Sequence, residues 1–298
     1  MTKTSAVKSG LANFGLFYSA AIWGSTFFIV KKSLDGIDPV MLVGYRFTIA
    51  AILLAIPLLI QKRSLVANFR EGFILGLFIW ILYIAQTIGL KYTSAANSGL
   101  ITGLFVTFVP VFAILIFRIV PSVTAVFATI ISVAGLWILT GGLTRVNIGD
   151  IITLISAVAY AIHILFADRY VKGGLDPYVL SFQQFFIVGI ASILVGSVLR
   201  LPLRIGSYEV LWMVLFLAIF PSLSAFAIQL VAQKFTSPIR VSLILAFEPV
   251  FAVLFAWTLG NEQYSFQKAL GGLFIFIALI LSGIPSRPIL SKIKAPTE

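Results

Sequence analysis

The chain of 298 residues contains no cysteine, so disulfides and thiolate metal centres are excluded and the redox compartment leaves no trace in the composition. Charge is nearly as scarce. Only 10% of residues are Asp, Glu, Lys or Arg, where soluble globular domains carry roughly 25%. There is a single histidine, no His-Glu-x-x-His run, no Gly-x-Ser-x-Gly elbow and no pair of carboxylates within an apolar run, which argues against a membrane-embedded enzyme. A Gly-x-x-x-x-Gly-Lys-Ser/Thr loop is missing too, so ATP-driven transport by this chain alone is not expected. The sequence therefore predicts no cofactor and no metal. Acidic residues number 10 against 21 basic ones, a formal charge of +11. The basic residues lie between apolar runs and form no continuous patch or arm, so nucleic acid is not the expected partner.

What the chain has in quantity is apolar residues, 60% of the total, and these fall into runs. Breaking the runs at charges, Pro and Gly clusters predicts ten spans, near residues 12–30, 39–60, 72–90, 94–117, 122–140, 148–167, 177–199, 209–233, 238–259 and 266–284, most close to the roughly 20 residues that cross a bilayer. Short connections and two small tails remain, with no room for a soluble domain. The N-terminal lysines ahead of an apolar run resemble a secretory leader. However, the run from Leu16 to Val30 carries Trp23 and Thr26 and has a counterpart in mid-chain, which a discarded leader would lack. With the N-terminus inside, the inner segments hold Lys3, Lys8, Lys62, Arg63, Arg70, Arg118, Arg169, Lys172, Lys234, Arg240, Arg287, Lys292 and Lys294. The outer ones hold Lys31, Lys32, Lys91, Arg145, Arg200, Arg204 and Lys268. Thirteen against seven predicts both termini in the cytoplasm, in a bacterial-type inner membrane.

The chain also repeats itself. Asp38-Pro39 aligns with Asp176-Pro177 and Arg46 with Gln184; YIAQTIGLKYTSA at 83–95 matches FAIQLVAQKFTSP at 226–238; VPVFAIL at 109–115 matches EPVFAVL at 248–254. Three ordered matches predict a duplication, with one repeat over residues 1–144 and the other over 145–298. Because each unit has an odd number of spans, the second must lie upside down relative to the first. The expected fold is all-α: a polytopic membrane protein of ten transmembrane helices in two inverted five-helix repeats, with a binding site at their interface near the midplane, as in secondary transporters.

The segment WGSTFFIVK at 23–31, the pair Arg46-Phe47 and above all LAFEPVFAVLFAWTLGNEQYSFQKALGG at 245–272 resemble the EamA-type branch of the drug/metabolite transporter superfamily. The resemblance covers nearly the whole chain and implies an exporter of small metabolites: amino acids, nucleobases, cations and others. Two departures stand out. The acidic residue shortly after the second-half motif is here Asn261-Glu262, and the first half has Val109-Pro110 where the second has Glu248-Pro249, so the halves are not functionally equivalent.

Helical spacing places the polar residues on repeated faces. Ser19, Trp23 and Thr26 on the first span are matched by Ser156, Tyr160 and His163 on the sixth; Ile79, Tyr83 and Gln86 on the third are matched by Ser222, Phe226 and Gln229 on the eighth. An apolar, aromatic surface with a few placed polar groups suits a small-molecule site, and Gln offers both donor and acceptor to a zwitterion. Trp23, Thr26, Tyr83, Gln86, Tyr160, His163, Ser222, Phe226 and Gln229 are thus the candidate substrate-binding residues. The alternative is that these groups hydrogen-bond helix to helix, at about 0.6 kcal/mol each. His163 can contact substrate, pack as a neutral ring or couple protons. Arg46 and Glu248 are intramembrane charges that cost about 2.5–3.5 kcal/mol each at a helix centre. Structural pairing is the first expectation for Glu248, ahead of binding a cation or shuttling a proton; Arg46 can snorkel, bind a carboxylate or pair with an acid. Pro110, Pro221 and Pro249 are candidate gating kinks, and Gly99-x-x-x-Gly103, Gly135 and Gly271-Gly272 are candidate close-packing positions. The resulting expectation is a secondary exporter of small metabolites, amino acids including aromatic ones, with a passive channel as the reading from another class and cationic drugs as rival cargo. Oligomeric state leaves no signal.

Overall fold

The structure is a computed structural model that describes residues 3–142, 146–258, 264–282 and 284. Asn261 and Glu262, and the basic residues Arg145, Arg287, Lys292 and Lys294, lie outside the described residues. Within them the chain is helical throughout, with no strand.

All ten expected spans are present, though four of them are broken. The first is α1 (Lys3–Gly24) followed by α2 (Thr26–Ser33); the second is α3 (Pro39–Ile60); the third is α4 (Phe69–Tyr92). The fourth divides into α5 (Ala95–Gly103) and α6 (Phe105–Phe117), and the fifth is α7 (Val123–Thr140). In the second half come α8 (Ile148–Lys172) and α9 (Pro177–Val198). The eighth span runs from α10 (Tyr208–Leu217) through a π-helical turn (Ala218–Ser224) into α11 (Ala225–Gln233). The ninth divides into α12 (Pro238–Leu245) and α13 (Glu248–Thr258), and α14 (Phe266–Ser282) ends the bundle. Eight of the spans are long and apolar enough to cross a membrane by composition, and Val123–Leu139 and Phe266–Ser282 are shorter apolar helices. Large side chains such as Phe14, Leu115 and Val198 are exposed, as they must be where the solvent is hydrocarbon.

The repeated sequence motifs are helix starts. Asp38 accepts from the Val40 amide and Asp176 from the Tyr178 amide, each with Pro next in line. Such a cap satisfies an amide that has no intrahelical partner, while Pro has none to lose. Ser94 and Ser237 cap the fourth and ninth spans in the same way. Packing between the halves is reciprocal: α4 runs along α8 as α11 runs along α1, α4 meets α9 as the π-helical turn meets α3, and the second span pairs with the seventh and the fifth with the tenth.

Gly135 and Gly271 do let helices touch at the backbone, since a Cβ on Gly271 would lie 2.3 Å from the Leu139 amide nitrogen and one on Gly135 2.8 Å from the Gly271 carbonyl. Gly99 and Gly103 do not: they face the Phe27 ring at 3.6 Å and the Leu136 side chain at 3.3 Å. Gly272 likewise meets only the Val250 side chain. Pro249 sits in the first turn of α13, after the break, where its missing N–H costs nothing. Pro110 lies inside α6 and Pro221 inside the π-helical turn.

Candidate functional site

Pro221 shapes the site from a distance. It has no N–H to give to the Leu217 carbonyl, so the eighth span widens into the π-helical turn, and the Ser222 hydroxyl donates to Leu217 O instead, at 2.8 Å. The same hydroxyl oxygen accepts from Arg46 Nε at 2.9 Å. The carbonyl of Pro221 accepts from the Trp23 indole at 2.9 Å, which ties the first span to the eighth.

Around this anchor the aromatic residues meet in repeat-related pairs. Trp23 lies 6.0 Å from Tyr160, Phe47 lies 5.8 Å from Phe185, and Tyr83 lies 5.9 Å from Phe226. Each ring touches the residue that occupies its own position in the other half. Phe226 is the hub, since its ring also meets Trp23, Phe47, Tyr160, His163 and Phe185.

Beside the rings is a small cavity lined by Trp23, Thr26, Leu82, Tyr83, Gln86, Thr102, Tyr160, Phe226 and Glu248. Its volume is about 20 Å³, enough for about one water molecule. Six of the nine candidate substrate-binding residues, Trp23, Thr26, Tyr83, Gln86, Tyr160 and Phe226, thus line this cavity. Gln86 donates to Thr102 at 3.1 Å, and its carbonyl oxygen has no protein partner among the described residues.

Glu248 is buried on the cavity wall, and among the described residues no ion pair or hydrogen bond engages its carboxylate; the ion pairs there are Lys32–Glu209, Arg63–Asp176 and Lys172–Asp168. The expected structural pair is therefore not made. Arg46 turns elsewhere: only 2% exposed, it bonds Ser222 and stacks its guanidinium over Tyr83 at 4.7 Å and Phe47 at 5.3 Å. It neither snorkels nor pairs with an acid. A carboxylate and a guanidinium without ionic partners among the described residues thus share the surroundings of one Tyr83 ring. Gly24 brings the halves together here. At the break of the first span it crosses the break of the ninth so closely that a Cβ would lie 2.5 Å from the Glu248 carbonyl oxygen.

Three candidates sit away from the cavity. Ser222 is occupied as described. Gln229 accepts from the Tyr160 hydroxyl at 3.1 Å and donates to Gln233, which donates to Ile164 O, so it braces the eighth span against the sixth. His163 lies behind Tyr160 and, among the described residues, makes one hydrogen bond, through Nε2 to Gln184 at 3.0 Å, while its Nδ1 is buried without a partner there. Sequence reasoning missed Thr102 and the pair Phe47 and Phe185. The pair adjoins the aligned Arg46 and Gln184, so the repeat could have revealed it; Thr102 carries no such signal.

Two stretches of the chain, residues 10–141 and 147–284, match the model of the EamA-like transporter family. An Archaeoglobus fulgidus protein named "Uncharacterized transporter" is 31% identical over 92% of this chain and 86% of its own length. The Escherichia coli K12 "Uncharacterized inner membrane transporter YedA" is 26% identical, over 93% of this chain and 94% of its own. One crystal structure superposes with a TM-score of 0.77 at 19% identity, covering 91% of this chain and 96% of that one, which establishes a shared fold. With a family match across both halves and a relative of this identity and coverage, the chain belongs to the EamA-like transporter family, a membrane transporter of the drug/metabolite type.

Proposed function

We propose that this transporter is a secondary exporter of small metabolites, amino acids including aromatic ones, working by alternating access between two inverted repeats over residues 1–144 and 145–298. The observation that carries the reading is the unpaired Glu248 carboxylate among Trp23, Tyr83, Tyr160 and Phe226, with the Arg46 guanidinium beside the same Tyr83 ring. An ammonium group satisfies the first and a carboxylate the second, the aromatic rings accept an apolar body, and the Gln86 carbonyl adds an acceptor. Reciprocal packing and the self-meeting ring pairs support the inverted repeat. The excess of Lys and Arg on one set of connections supports cytoplasmic termini, and the name of the Escherichia coli relative supports an inner-membrane location. Because the cavity holds about one water, the substrate enters only as the halves part.

The test is counterflow of labelled phenylalanine, tyrosine and leucine in proteoliposomes. Saturable flux that falls at least about tenfold in Glu248→Gln is expected; absence of saturable flux for every amino acid tried defeats the reading. Cationic amines are the second cargo class, favoured because Glu248 lines the cavity and Arg46 does not. Arg46→Gln separates the two: it abolishes amino-acid flux and spares that of an amine without a carboxylate.

A further inference from the structure

Two crossings at opposite ends of the bundle occupy repeat-related positions, and they are in different states. At the first, the end of α4 meets the start of α8. Gly89 and Gly149 close it, since a Cβ on Gly149 would lie 2.6 Å from the Gly89 carbonyl. The Thr93 hydroxyl donates to Asp150, and Lys31 reaches across to the carbonyls of Leu90 and Thr93. The second crossing joins the end of α11 to the first part of α1. Superposing the matched spans puts Ala232 on Gly89, Ala12 on Gly149, Thr236 on Thr93 and Asn13 on Asp150. Here Ala12 and Ala232 line a groove of about 300 Å³. No hydrogen bond joins Thr236 to Asn13, and Asn13 Oδ1 is buried without a partner among the described residues.

We infer that Thr93–Asp150 and Thr236–Asn13 are the two alternately closed latches of the transport cycle, the first shut and the second released in this structure. The inference rests on the alternating-access reading and adds the residues that perform it. A buried polar atom without a partner is held at a cost, and here that cost is relieved by one motion: bringing Thr236 to Asn13, as Thr93 already lies against Asp150. The methyl groups of Ala12 and Ala232 keep this crossing from closing as tightly as the glycine pair. The neutral Asn13 also makes a weaker bond than the carboxylate of Asp150, because a charged acceptor strengthens a hydrogen bond. Both differences bias the resting protein toward the state seen, shut at the Asp150 end.

The natural absence of cysteine makes an introduced one a unique probe. Thr26→Cys on the cavity wall is labelled with a membrane-impermeant maleimide applied to either face of reconstituted vesicles, and the ratio of the two rates is read. Adding Thr93→Val, which removes only the latch hydroxyl, raises labelling from the Asp150 face relative to the other at least about fivefold. Asn13→Asp, which strengthens the second latch, shifts the ratio the same way. Ratios unchanged in both variants overturn the inference. Counterflow of labelled phenylalanine, tyrosine and leucine by the cysteine-free parent keeps the two failures apart: flux with fixed ratios sinks the latches alone, and no flux of any of the three with shifted ratios sinks the amino-acid reading and leaves the latches standing. If Thr93→Val elutes as aggregate, Asn13→Asp decides by itself.

Discussion

The Ser222 hydroxyl serves two masters, donating to a carbonyl that Pro221 left without a donor and accepting from Arg46. Ser222→Ala strands both, at about 1–3 kcal/mol for each buried group left unpaired. Its thermal unfolding temperature in detergent is expected to fall by several degrees, and an unchanged transition would show that the hydroxyl carries neither role. The two aligned glutamines separate in the same manner. Gln86 faces the cavity and Gln229 is spent on Tyr160 and Gln233. Gln86→Leu therefore raises the KM for flux with little change in unfolding temperature, while Gln229→Leu lowers the unfolding temperature by more than it changes KM. A reversed pattern would place the wrong glutamine on the substrate path. Spacing along the helix put both on repeat-related faces; which of the two reaches open space is a property of packing across spans rather than of either span alone.

Among the elements, the breaks matter most. The first span breaks at Ser25 and the ninth at Ala246–Phe247, and Gly24 lets the two broken helices cross in backbone contact. Gly24→Ala pushes a methyl against the Glu248 carbonyl, and overpacking of this kind costs about 1–3 kcal/mol; the change is read as a lowered unfolding temperature together with weaker flux, since Glu248 moves with its backbone. The π-helical turn gives a second test at this scale. Pro221→Ala returns an N–H to Leu217, so the double variant Pro221→Ala/Ser222→Ala is expected to recover part of the stability lost in Ser222→Ala. Strict additivity of the two single changes would refute the link between the proline and the hydroxyl. Helix starts were legible in advance because Asp-Pro and Thr-Ser carry their capping chemistry in the side chain. The break at Leu104 was not, because nothing in Gly103-Leu104-Phe105 forbids a continuous helix. Pro249 reads as a kink in the sequence, and the ninth span breaks just before it at Ala246–Phe247, where the proline has no N–H to give to the Leu245 carbonyl.

For the whole molecule, the inverted arrangement makes one plain demand: residues 61–68 and 199–207 lie on opposite sides of the bilayer. Single cysteines placed there are expected to react with an impermeant reagent from different faces, and reaction from the same face would remove the basis for a two-sided cycle. The extent of the bundle could be read from the apolar runs, and the existence of a duplication from three aligned stretches of sequence. The difference between the two crossings could not, because whether Thr236 reaches Asn13 as Thr93 reaches Asp150 is decided by packing between spans and not by the residues alone. The near-absence of room beside Glu248 has a last implication, for thermodynamics. Any ligand must wait for, or drive, a rarer and more spacious arrangement. If that arrangement makes up about 1% of the population, the measured dissociation constant is about a hundredfold weaker than the intrinsic one. Modest apparent affinity with rapid release is then the natural behaviour of this carrier, and a tight binder found in a screen is expected to arrest the cycle instead of riding it.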